Sequence, residues 1–254
     1  MIKQLIPADP SLKREFQKDG DNFLRVSEFF MDTIQGEGIN IGHPAAFLRM
    51  QACTLNCVWC DTKEVWRFGN PWSFDELFHL MHGNGLIQKL KWGHHLVLTG
   101  GSPVNQQDRL YAFIHRFIEV YGFKPYIEIE NECTLMPNKE FAAYIDCWNN
   151  SPKLTMSGNP FEKRYKPHII EAVASLPNSW FKFVVSDEGD WEEIENGFLL
   201  PNLIRQNQII LMPLGATRAE LELSRQIAFE MAVENGVRYA TREHIVLFDR
   251  KTGV

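Results

Sequence analysis

Three cysteines, Cys53, Cys57 and Cys60, stand close together in a 254-residue chain in the pattern C-x3-C-x2-C. Soft thiolates at that spacing fit within one tight loop and can serve one soft metal centre. Four thiolates would complete a zinc site or a cubane iron–sulfur cluster, whereas three leave a position open for another ligand. No fourth donor lies inside the loop, because the nearest histidines are His43 before it and His79 after it. Three readings follow: buried free cysteines, zinc completed by a distant residue, or an iron–sulfur cluster with one iron open to a small molecule. Clustering this tight points to metal, and the open cluster is preferred. Cys133 and Cys147 read instead as small buried hydrophobes. An odd total of five cysteines, three of them clustered, argues against a disulfide framework and for a reducing cytoplasm.

Other residues could serve chemistry beside that loop. Ala45–Gln51 reads as a strand that places Phe47, Arg49 and Gln51 on one face and Ala46, Leu48 and Met50 on the other. If the second set meets helices, Arg49 points inward and needs an anion, either a structural carboxylate or a bound one. Gln35-Gly36-Glu37-Gly38 reads as a glycine-rich turn that lets backbone approach closely. Gly100-Gly101-Ser102-Pro103 ends a buried strand, His94–Thr99, at the edge where ligands lie in such sheets. Taken alone, Ser151-Pro152-Lys153 reads as a turn.

The elements that must position these residues alternate between strand and helix. Strands are expected at Val26–Phe30, Ala45–Gln51, His94–Thr99, Tyr126–Glu130, Phe181–Ser186 and Gln208–Met212. Helices are expected from Phe74, with Ser73 and Glu76 at capping-box spacing, then at Leu110–Tyr121, Phe141–Trp148 and from Thr217. The last helix would bury Leu221, Ile227, Phe229 and Val233, and Arg242–Phe248 would be a closing strand with His244 structural. Such alternation implies parallel βαβ units, an α/β fold with an open, partial (β/α)6 barrel. Residues 1–25 read as an N-terminal extension, with a short helix through Leu5, Leu12 and Phe16 and breakers at Asp19-Gly20-Asp21; residues 26–254 read as a single domain. A composition of 44% hydrophobic and 23% charged residues suffices for a real core, and a net charge of −6 argues against a broad nucleic-acid face. No apolar run is long enough to suggest a membrane span, and Met1–Pro7 lacks the apolar stretch of a signal peptide.

The C-x3-C-x2-C loop resembles that of radical S-adenosylmethionine (SAM) enzymes, in which the open iron chelates the amino and carboxylate groups of SAM. Its flanks are more selective. Thr33–Gly38, Gly42–Arg49 and Cys60-Asp61-Thr62 resemble the 7-carboxy-7-deazaguanine synthases, and the likeness runs from about Val26 to the C-terminus. It implies the radical SAM type of partial (β/α)6 barrel, with one catalytic domain over 26–254. The implied cofactors are a 4Fe-4S cluster on Cys53, Cys57 and Cys60, SAM, and Mg²⁺ placed by Thr62, with Asp61 as the nearby alternative. SAM contacts are implied for Trp59, Gly101, Ser102, Ser151, Pro152 and Lys153, and more loosely for Lys182 and Ser186. Substrate contacts are implied for Ile34, Gln35, Gly36, Arg49 and Thr99, with Glu37 beside them.

The implied reaction starts with hydrogen abstraction from 6-carboxy-5,6,7,8-tetrahydropterin by a 5′-deoxyadenosyl radical. It ends in 7-carboxy-7-deazaguanine, ammonia and regenerated SAM. The resemblance also implies a low-potential electron donor such as a flavodoxin or ferredoxin, and a homodimer. The chain departs from the superfamily's Gly-Gly-Glu motif at Ser102, which supplies no charge, so Glu130 or Glu132 could be the substitute carboxylate. Alternative readings are another radical SAM enzyme, such as a glycyl-radical-enzyme activase, and a non-catalytic metal-binding module.

Overall fold

The structure, a computed structural model, describes residues 1–14 and 22–254. Among these, ten strands form one sheet: β1 (Lys3–Ile6), β2 (Phe23–Ile34), β3 (Pro44–Met50), β4 (Asn70–Ser73), β5 (His95–Gly100), β6 (Tyr126–Asn131), β7 (Cys147–Asn150), β8 (Ser179–Val185), β9 (Ile209–Pro213) and β10 (Arg238–Tyr239). Their order is β1-β2-β3-β5-β6-β7-β8-β9-β10, with β4 paired to β2. From β3 to β10 every pairing is parallel. β1, β2 and β4 add antiparallel pairings at the other end. The sheet does not close on itself, so the open, partial α/β barrel expected from the sequence is the fold found. No helix of the described residues is long and apolar enough to cross a membrane.

Several elements differ from expectation. Residues 141–148 do not form one helix: Lys139–Ala142 is a single helical turn, and Cys147–Asn150 is β7. All four β7 residues are buried, so the period-two alternation that would betray a strand is missing. The final strand is also replaced, by a helix at Glu243–Phe248, leaving two-residue β10 as the parallel edge. In the helix Arg218–Glu234 the buried stripe is Leu221, Ser224, Ala228, Met231 and Ala232. Phe229 and Val233 lie one position off that stripe and are exposed. Leu5 belongs to β1, not to a helix, and pairs its strand with β2. Phe16 and Asp19-Gly20-Asp21 lie outside the described residues. The helix from Phe74 stops at Gly83, and Leu86 begins the next helix. Its Ser73–Glu76 capping box is present in both directions.

β3 follows its predicted alternation. Ala46, Leu48 and Met50 pack into the larger core with Phe78, Phe113 and Phe117 from the covering helices, which leaves Arg49 on the opposite face. Parallel pairing sets Arg49 beside Thr99 and Met50 beside Gly100. Just beyond, Gly101 donates to the Met50 carbonyl at 3.2 Å and the Ser102 amide to the Ala52 carbonyl at 2.7 Å. A side chain at Gly101 would place its Cβ 2.1 Å from the Ala52 carbonyl oxygen, and Gly100 has a φ of +148°. The Gly-Gly pair is therefore required for strand β5 to touch the cysteine loop. Gly101→Ala is expected to destabilise by about 1–3 kcal/mol through overpacking against backbone. The corresponding fall in Tm is about 2–12 °C, read by thermal unfolding of the purified chain.

Candidate active site

The carboxyl ends of β3, β5, β6, β7 and β8 open into a cleft with about 1150 Å³ of empty space, counted out to its mouth. Parallel sheets bind ligands at this edge because every strand delivers its following loop there. Cys53, Cys57 and Cys60 line the cleft as free thiols. Each sulfur receives an N–H: the Leu55 amide reaches Cys53 at 3.4 Å, Asn159 Nδ2 reaches Cys57 at 3.2 Å, and Trp66 Nε1 reaches Cys60 at 3.4 Å. Burial, reinforced by Glu132, pushes the Cys53 thiol up to about 12, and burial raises Cys57 as well. Both are therefore protonated until a metal displaces the proton. Among the described residues no three His, Cys, Asp or Glu side chains gather as ligands of a single ion. A cubane instead spreads its thiolates over separate irons.

The remaining predicted residues fall on two sides of these cysteines. Trp59, Gly101, Ser151 and Lys153 line the cleft, with Lys153 Nζ bonded to the Ser151 carbonyl and hydroxyl at 2.6 Å and 5.7 Å above the Trp59 ring. Ser151-Pro152-Lys153 follows β7 directly, and the Ser151 amide is bonded to the Asn131 carbonyl at 2.7 Å. Ser102 and Pro152 are buried behind the wall. Ser186 is also set back, against Met156. Two buried polar atoms of lining residues lack a hydrogen-bond partner among the described residues, Glu132 Oε2 and Trp59 Nε1. One is an acceptor and one a donor, and each costs about 1–3 kcal/mol unless a ligand satisfies it.

On the other side lie Ile34, Gln35, Gly36, Arg49, Thr62 and Thr99. Gln35 turns its side chain inward, where its Nε2 donates to buried Glu128, which also accepts from Asn40 and Asn149. Arg49 Nε donates to Glu28 Oε1 at 2.6 Å and Nη1 reaches Thr99 Oγ1 at 3.4 Å, so the inward guanidinium does have a structural carboxylate while still lining the cleft. Burial works against the Arg49 cation, but Glu28 outweighs it and raises the pKa.

A chain of buried ion pairs completes this side. Lys182 Nζ bridges Glu37 Oε2 at 2.7 Å and Glu130 Oε1 at 3.3 Å. Arg242 Nε holds Glu37 Oε1 at 2.9 Å while Nη2 pairs with Asp61. Burial would raise the pKa of Glu37, but Lys182, Arg242 and His244 together hold it well below the carboxylate range. Asp61 is likewise lowered, with Arg242 overcoming burial. Burial lowers His244, whose ring packs against Gly36. Arg242, Asn159 and Trp66 were not singled out for the site from sequence. No motif spacing marks them: Asn159 and Arg242 arrive from segments remote in the chain, and Trp66 from the short helix that follows the cysteine loop.

Residues 34–130 match a protein family described as "4Fe-4S single cluster domain". The chain is 32% identical over 234 residues to a 7-carboxy-7-deazaguanine synthase of Pyrobaculum aerophilum, covering 91% of this chain and 97% of that one. It is 28% identical over 270 residues to the enzyme of the same name from Halobacterium salinarum, covering 96% and 98%. Among solved structures, QueE from Escherichia coli superposes with a TM-score of 0.61 at 22% identity over 87% of this chain and 95% of the other, a likeness of fold.

Glu37→Gln would leave Lys182 and Arg242 each short of one buried carboxylate oxygen charge. The expected loss at pH 7 is about 3–5 kcal/mol. Because the folded pKa of Glu37 is depressed, its stabilisation is complete above the ordinary value of 4.5 and is lost progressively as pH falls from there through the lowered folded value. Thermal unfolding of both proteins from pH 7 to pH 3.5 should show the gap in Tm narrowing below about pH 4.5; a constant gap would contradict the pairing.

Proposed function

The chain belongs to the family of 7-carboxy-7-deazaguanine synthases, and we propose that its cleft divides that enzyme's work among three sets of residues. It is a carbon–nitrogen lyase of the radical SAM class, converting 6-carboxy-5,6,7,8-tetrahydropterin to 7-carboxy-7-deazaguanine with loss of ammonia. When bound, the 4Fe-4S cluster and SAM supply the one-electron chemistry that starts this rearrangement.

The first set, Cys53, Cys57 and Cys60, holds the cluster. Soft sulfur is the right donor, and an N–H directed at each sulfur stabilises the thiolate and tunes its metal. The second set receives SAM: Trp59, Gly101, Ser151 and Lys153 form the wall, with Ser102 and Pro152 behind it. The orphaned donor on Trp59 and acceptor on Glu132 fit a ligand that carries both kinds of polar group.

The third set receives the pterin. Ile34, Gln35 and Gly36 offer backbone groups, and Arg49, fixed at Nε by Glu28, presents its fork to the substrate carboxylate with Thr99 beside it. Phe47, Val184 and Met212 contribute apolar wall for a flat ring system. Thr62 is the oxygen donor for Mg²⁺, a cation that retains waters and substrate oxygens, while Asp61 is occupied by Arg242. Val58, 73% exposed on the cluster loop, leaves room for a low-potential donor such as a flavodoxin or ferredoxin. The family resemblance supports a homodimer, residues 26–254 as the catalytic domain and a cytoplasmic setting.

The observation that carries this reading is the meeting of the three-cysteine loop and the Arg49–Thr99 pair in one cleft. Anaerobically reconstituted protein with reductant, SAM and the pterin is expected to form the deazaguanine carboxylate while SAM is recovered. Irreversible SAM consumption with untouched pterin would point to an activase-like reaction, and a colourless zinc protein to a binding module. Cys57→Ala is expected to lose iron and turnover. Cys133→Ala, whose thiol is fully buried outside the cleft wall, should keep both. Iron loss from the second variant would overturn the ligand assignment.

A further inference from the structure

Glu132 is a buried carboxylate with half of its hydrogen-bonding capacity unused. It follows β6, one strand over from the loop that carries Ser102. Three hydroxyls gather on its Oε1: Ser102 Oγ at 2.6 Å, Thr134 Oγ1 at 2.7 Å and Thr54 Oγ1 at 2.8 Å. Oε2 has no partner among the described residues and almost no contact with bulk water, although Glu132, 6% exposed, lines the cleft. Hydroxyls orient a carboxylate but do not neutralise it, and a buried anion without a countercharge is costly. The fold thus fixes one oxygen and leaves the other for a cationic donor.

The position says which donor. Thr54 joins Glu132 directly to the cysteine loop. The other acidic side chains lining the cleft are already engaged, Glu130 by Lys182 and Thr99, Glu37 by Lys182 and Arg242, and Asp61 by Arg242. Across the same wall Lys153 carries the positive charge. A carboxylate and an ammonium on one wall beside the cysteines complement the two charged ends of an amino acid.

Building on the SAM site above, we infer that Glu132 Oε2 accepts the α-ammonium group of SAM and that Ser102 is a positioning residue that holds the carboxylate in place. The acid has moved from the position after the two glycines to the adjacent strand end, and a hydroxyl now occupies the vacated place. Ser102 is then not a defect in the motif but the support of a relocated acid.

The test is SAM affinity of the reconstituted, iron-loaded protein by anaerobic equilibrium dialysis, beside 5′-deoxyadenosine, which has the nucleoside but no ammonium. Glu132→Gln is expected to keep its iron, bind SAM about 10–100-fold more weakly and bind 5′-deoxyadenosine as before. Ser102→Ala should lose about threefold for SAM alone. Unchanged SAM affinity in Glu132→Gln, or an equal loss for both ligands, would overturn the inference. If Glu132→Gln fails to load iron, Ser102→Ala decides, and no SAM-selective loss there overturns it. Iron-loaded parent protein that does not bind SAM would instead overturn the functional reading itself.

Discussion

An open sheet has two ends that nothing in its hydrogen-bond ladder holds together, and here buried charge joins them. Glu37 lies just past β2, near one end, while Lys182 is on β8 and Arg242 follows β10 near the other. The ion pairs among them, continued to Asp61 beside the last cysteine, tie those ends together along one side of the cleft. Each of these charges is expensive to bury alone, so the network is stable only when all elements arrive together. Its contribution is specificity of assembly: the cluster loop, the glycine turn and the C-terminal segment are held to one geometry.

Where charge joins the ends, close backbone contact supports the middle. The cysteine loop leaves β3 and meets the Gly100-Gly101 turn at a distance no side chain tolerates. On its far side the Val58 amide bonds to the Ser157 carbonyl at 3.0 Å, and Asn159 clasps both the Asn56 amide and the Cys57 sulfur. Gly158 is also constrained, since a Cβ there would approach Val58 Cγ1 to 2.8 Å. The loop is therefore gripped from both sides by backbone and amide groups, which leaves its sulfurs directed at the cleft. Preorganisation of this kind suits a site that must hold a metal cluster and a small molecule in contact.

Much of this was legible in the sequence because it depended on local spacing. Three cysteines within one loop, alternation along β3 and the capping box at Ser73 are short-range signals, and each was found in place. β7 was missed because all of its residues are buried, so it shows no alternation, and its asparagines hid it further. Asn149 and Asn150 are tolerated there because partners exist: Asn149 donates to Glu128, and Asn150 donates to Ser179 and accepts from Asn131. Arg242 could not be assigned because its partners, Glu37 and Asp61, are distant in the chain. Local pattern locates a loop, whereas the pairing of remote charges exists only once the sheet has folded.

The distribution of charge shows how the two halves of the cleft differ. On the side proposed for the substrate each cation is already paired: Arg49 with Glu28, Lys182 with Glu37 and Glu130, Arg242 with Glu37 and Asp61. Pairing at Nε still leaves a guanidinium with further donors, so Arg49 can orient a carboxylate without the protein first burying an isolated charge. On the cluster side the economy is reversed. Lys153 is bonded to neutral oxygens of Ser151 and Glu132 to neutral hydroxyls, so neither charge has been cancelled by the protein. A site with a full complement of ion pairs selects its ligand by shape and hydrogen bonding. One that keeps two opposite charges apart suits a zwitterion, the class of ligand proposed above for the cysteine side of this cleft.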